Sequence, residues 1–162
     1  MNNKFFHGIS AVSSSFVEEK GKVRGIFFPK EYVEFIALYN GGSPELPCFR
    51  ARNRRGRERS LKLHYMFAFT DEKSYESVTL MNDGFSDWGV LEAGYWVIGS
   101  VEEDVGHLLL DYKKNEVVLC DLNAWYGVPE SGPTLRTGKT FGEFVNSLSV
   151  DPKGKWVPRK YS

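Results

Sequence analysis

Three histidines, two cysteines and one run of three carboxylates are the residues of this sequence best suited by type to chemistry. His7, His64 and His107 stand alone. No H-x-x-x-H or H-x-x-E spacing sets two ligands on one face of an element, so no metal site is expected. Cys48 and Cys120 are far apart with no C-x-x-C, which suits two buried thiols in a reducing compartment better than a disulfide. Neither has a base beside it in sequence, and no G-x-S-x-G elbow occurs. Gly138-Lys139-Thr140 ahead of a helix has the ending of a phosphate-binding loop. The first glycine of that motif falls at Pro133, which has no amide to donate. Glu102, Glu103 and Asp104 have carboxylates for a divalent cation or an acid/base pair, but the calcium-loop pattern is missing. Adjacent carboxylates on a short connection read first as a solvated loop, then as a partner contact.

The elements that would position these groups are legible from periodicity. Tyr95 to Gly99, His107 to Tyr112 and Glu116 to Leu122 are strand-length apolar runs broken by the acidic loop and by Lys113-Lys114-Asn115, which predicts an antiparallel meander. Leu61, Leu63, Tyr65, Phe67 and Phe69 alternate with Lys62, His64, Met66 and Ala68, a further strand. So apolar a sheet needs a covering layer. Pro29 at a first helical position, then Tyr32, Phe35, Ile36 and Tyr39 at i, i+3, i+4 and i+7, predict a helix closed by Asn40-Gly41-Gly42. Thr140 and Glu143 form a capping box ahead of Phe141, Phe144, Val145 and Leu148. Shorter helices are expected over 10–20, started by Ser13, Ser14 or Ser15, and from Thr70 or Asp71 through Tyr75, Val78 and Leu80-Met81, ending near Asn82-Asp83-Gly84.

One segment is strongly biased. Arg50, Arg52 and Arg54 alternate, so on a strand they share one face, with Arg55-Gly56 as the turn of a β-ribbon. It reads as an anion- or partner-binding arm, or as an edge hairpin that its own charge keeps from pairing. Lysine plus arginine equals aspartate plus glutamate, so no bulk attraction to nucleic acid or anionic membrane is implied. Residues 1–150 are expected to form a single domain, with 151–162 a loosely held tail. Met1 to His7 has no apolar leader, and no stretch has the length of a membrane span, so a cytoplasmic location is the expectation.

Three blocks, in order, resemble a known family. Phe28 to Gly42, with its Phe-Pro, acidic-Tyr helix and Asn-Gly-Gly, resembles the opening signature of the SUKH superfamily, which holds the fungal Smi/Knr cell-wall-synthesis regulator and many bacterial proteins. Trp96-Val97-Ile98-Gly99-Ser100 through Gly106 to Leu110-Asp111 resembles its core, and Thr140 to Leu148 its closing helix. His107 stands where the family often has Asn, and the arginine ribbon is outside the shared pattern. The resemblance implies an α+β fold, a mostly antiparallel central sheet flanked by helices. It also implies a non-catalytic immunity protein, antitoxin-like, that binds and neutralises a cognate polymorphic toxin, such as a nuclease, without a cofactor. Regulatory scaffolding is the alternative, with nucleic-acid binding through the ribbon less favoured. Glu102, Glu103, Asp104, Arg50, Arg52, Arg54 and Arg55 are then the candidate partner contacts, with Trp88, Trp125 and Tyr126 as aromatic anchors.

Overall fold

The computed structural model describes residues 4–6, 8–70, 77–86, 89–102, 106–121 and 132–149. In chain order these form β1 (Phe5–Phe6), α1 (Ser14–Lys22), α2 (Lys30–Tyr39), β2 (Ser43–Pro44), β3 (Cys48–Asn53) and β4 (Glu58–Met66). There follow α3 (Val78–Phe85), β5 (Tyr95–Val101), β6 (His107–Asp111), β7 (Glu116–Cys120), β8 (Leu135–Arg136) and α4 (Phe141–Ser147). The mixed α+β class and the antiparallel meander β5-β6-β7 agree with the sequence pattern.

The sheet does more than lie flat beneath helices. It closes into a barrel, β3-β4-β5-β6-β7-β8, because Arg136 pairs with both Val118 and Arg52, and Leu135 with both Leu119 and Asn53. That two-residue closing strand, Leu135–Arg136, is too short to carry any periodic signal. The ribbon is therefore no edge hairpin. The open side of β3 meets β8 at one end and is bridged at Cys48 to Ser149 at the other.

Three further expectations shift. The alternation along β4 breaks at a bulge between Leu63 and Tyr65, so Met66, expected outward, is buried, and Ala68 beyond the strand is buried with it. The third helix is capped by Ser77, whose hydroxyl accepts from Leu80 N, rather than by Thr70 or Asp71. Pro29 is the N-cap of α2 rather than its first turn, and the left-handed residue that ends that helix is Asn40, at φ 45°. Ser13 caps α1 and the Thr140–Glu143 box caps α4, as the sequence indicates.

Asn40 is fully buried and does more than turn the chain. Its amide donates to Ser10 O at 2.9 Å and Phe69 O at 3.0 Å, and its carbonyl accepts from Phe69 N at 2.8 Å. Next to it, Gly41 at φ 89° lets the backbones touch, since a Cβ there would lie 2.8 Å from Met66 O. The end of α2 is thereby stitched to the chain leaving β4. Asn40→Ala is expected to lower the free energy of unfolding by about 2–4 kcal/mol, because buried groups of Phe69 lose their partners. Asn40→Gly relieves the positive φ but not that loss, so in urea titrations it should stay within about 1 kcal/mol of the alanine variant. Full recovery with glycine would show that the turn alone matters.

Candidate partner-binding surface

Residues 50–59 hold six arginines against Glu58, a net charge of five, so the rest of a neutral chain carries five negative charges. The fold concentrates this. Along β3, Ala51 is buried while Arg50 and Arg52 point to solvent, the ordinary alternation of a strand on a barrel wall. Asn53 ends the strand and builds the turn: its side-chain carbonyl accepts from both Arg55 N and Arg57 N at 2.9 Å, leaving Arg55 exposed at the tip.

Barrel closure adds a residue that the sequence pattern did not single out. Arg136 on β8 lies directly opposite Arg52, and like charges so placed repel. Each is held by an acid. Arg52 approaches Glu58 at 3.9 Å and Arg136 approaches Glu116 at 2.8 Å, while Arg50 pairs with Glu58 at 3.2 Å. These pairs are solvent-exposed to varying degrees and each contributes little to stability, on the order of 1 kcal/mol or less. The result is a three-arginine face, Arg50, Arg52 and Arg136, with two carboxylates to offset it.

Arg54 does not join that face as the alternation suggested. It lies past the end of β3, and its guanidinium sits 3.5 Å from where a side chain on Gly132 would begin. There its charge acts on Cys120, whose thiol is pushed up to about 11 by burial and by Asp121, with Arg54 pulling the other way. Cys120 and Cys48 are both buried and neither is in a disulfide, as the sequence led us to expect. Glu102 ends the β5 region, half-buried, with its N–H donating to Lys62 O at 3.0 Å, so the acidic loop starts beside β4 at the base of the ribbon. Glu103, Asp104, Trp88, Trp125 and Tyr126 lie outside the described residues.

His107 stands at the start of β6. Its ring stands between Phe67 at 6.2 Å and Phe85 at 5.7 Å, and its Nδ1 is buried without a hydrogen-bond partner. Burial lowers its pKa, and the charge of Asp121 offsets this only in part. Among the described residues no three of His, Cys, Asp and Glu gather where they could hold a metal ion. No helix among them is long and apolar enough to cross a membrane.

A helix-covered antiparallel barrel with a charged ribbon on its wall defines a mixed α+β domain whose most distinctive described surface is electrostatic. The chain belongs to the SMI1 / KNR4 family (SUKH-1), whose family model matches residues 12–147. No curated protein matches it.

The pH dependence of stability follows from His107. A histidine whose folded pKa is depressed leaves the unfolded chain binding more protons just below 6.5, its ordinary value. The stability tied to the neutral ring is therefore complete above 6.5 and lost as pH falls through the lower folded value. Urea midpoints measured from neutral pH downward should fall across that window, and His107→Gln should flatten this part of the slope. An unchanged slope in the variant would assign the dependence to other groups.

Proposed function

We propose that this chain is a non-catalytic immunity protein, one half of a toxin–antitoxin pair, that neutralises its cognate toxin inside the producing cell by covering it. The observation that carries the reading is the family match across residues 12–147. An inhibitor of this kind needs a rigid platform and a surface that selects one partner by charge. The buried barrel and α2 supply the first. For the second we assign the ribbon, Arg50, Arg52, Arg54 and Arg55, together with the loop Glu102, Glu103 and Asp104, with Trp88, Trp125 and Tyr126 as anchors. A nuclease is the natural toxin class for the acidic loop, because the site it would plug must attract phosphate; the arginine face suits an acidic flank of the same partner.

Nucleic acid as the ribbon's own ligand is less favoured by the geometry. Glu58 and Glu116 stand among the arginines and already engage them, where a phosphate-tracking groove would be uniformly basic.

The experiment is co-expression with the product of the reading frame adjoining this gene, followed by purification of the pair. Protection of the cell and a tight complex are expected. Arg52→Glu combined with Arg136→Glu should weaken the complex by about tenfold or more while leaving the melting temperature of the free chain nearly unchanged, since both side chains are exposed. Absence of binding and of protection would overturn the reading, and recovery of several unrelated cellular partners instead would favour a scaffolding role.

A further inference from the structure

Closure of the barrel sets two like charges face to face. Arg52 on β3 and Arg136 on β8 are register partners, and the ladder that joins those strands holds only one further pair, Asn53 with Leu135. Directly opposite side chains leave the same face with Cβ atoms about 4.5–5.5 Å apart, so both guanidinium groups can reach one point above the β3–β8 edge. Without an anion at that point, the pair pushes the two strands apart.

Neither guanidinium is saturated by the protein's own acids. Arginine presents several N–H donors in a planar fork. Arg136 commits Nη1 to Glu116 at 2.8 Å, and among the described residues its Nε and Nη2 have no protein acceptor. Arg52, with its side chain 70% exposed, comes no nearer to a described carboxylate than 3.9 Å, while that same Glu58 lies 3.2 Å from Arg50. The two acids stand on the outer flanks, Glu58 on β4 beyond Arg52 and Glu116 on β7 beyond Arg136. Across the sheet the charges therefore run minus, plus, plus, minus, with no described carboxylate in the middle.

We propose that Arg52 and Arg136 form one anion clamp across the β3–β8 edge, and that its ligand is a single carboxylate carried by a protein partner. Charge sets the number: three arginines against two glutamates leave this face one negative charge short. A carboxylate has two oxygens and accepts from a fork on each side, in charge-assisted bonds that are the stronger kind. It converts repulsion across the edge into a bridge, so an occupied clamp holds β8 against β3. A phosphodiester chain would need the neighbouring positions to be basic as well, and Glu58 and Glu116 hold them. That the carboxylate is an aspartate or glutamate of the toxin rests on the immunity reading; the clamp itself does not.

Titration of the free chain with sodium acetate in place of sodium chloride, at constant ionic strength, tests the clamp through the Nε–H resonances of Arg52 and Arg136. Both should shift together and saturate with one dissociation constant, on the order of 10–100 mM for so exposed a site. Arg52→Gln should weaken the response at Arg136 by about tenfold, and Arg136→Gln the response at Arg52 equally. Glu116→Gln releases Nη1 of Arg136 and should tighten acetate binding by about threefold. Melting temperatures close to that of the parent chain exclude misfolding as the cause. A response that never saturates, or one at each arginine that ignores loss of the other, means two separate surface charges and overturns the clamp. Inorganic phosphate binding more than about a hundredfold tighter than acetate overturns the carboxylate in favour of a free phosphate. In the purified pair with the toxin, both resonances should stand at the acetate-saturated position and no longer answer to acetate. If they still move, the toxin does not supply the carboxylate; a pair that never forms counts against the immunity reading alone.

Discussion

The Trp96 indole N–H donates to the Tyr32 hydroxyl oxygen across 3.3 Å, and both side chains are fully buried. Each ring brings one polar atom into the core, and this contact pairs the two. Tyr32 belongs to α2 and Trp96 to β5, so the bond fixes the covering helix on the barrel at one rotation and one height. Rings assemble around it: Phe28 at 5.3 Å from Tyr32 and 5.1 Å from Trp96, and Phe141 of α4 at 5.1 Å from Tyr32. Such pairs add on the order of 1 kcal/mol each beyond the area they bury. Burial also holds the Tyr32 hydroxyl protonated far above the usual phenol range. The turn after α1 hangs from the same cluster, since the Arg24 guanidinium lies 6.0 Å from the Trp96 ring and Phe28 meets that ring at a tilt of 59°.

With the helices locked on one side, the barrel wall is free to carry charge on another. The ribbon illustrates the separation. Its inward residues Phe49, Ala51, Leu61 and Leu63 are core, and Phe49 packs edge-on against Phe144 of α4 at 5.0 Å. Its outward residues are arginines whose pairs contribute little to stability. Substituting the outer set alters what the surface attracts and leaves the fold nearly untouched.

The sequence disclosed what depends on local period. The stripe from Tyr32 to Tyr39, the capping box at Thr140 and the three meander strands are each specified within a few residues, and each stands where the period puts it. What it concealed depends on distant partners. Barrel closure needs Arg136 and Leu135 to find Arg52 and Asn53 across a long separation, and two residues have no periodicity. The roles of Asn40 and Asn82 are hidden for the same reason. Asn82 reads as a helix terminator, yet it is buried and exchanges two hydrogen bonds with the Val97 backbone, at 2.7 and 2.9 Å. The candidate surface was half visible: composition marked the arginine ribbon, but the opposing arginine on β8 arises only once the chain is folded.

The seam at β8 has a mechanical consequence. Every neighbouring pair in β3 to β7 shares a ladder of several residues, whereas β8 joins β7 and β3 through two residues on each side. Local opening costs least at the shortest ladder, which places the β3–β8 edge at the low end of the barrel's stability, since on the β7 side Thr134 N and Thr137 N add bonds to Leu119 O and Val117 O. The arginine face thus lies across that edge, with Arg50 and Arg52 on the long β3–β4 ladder and Arg136 on the short one.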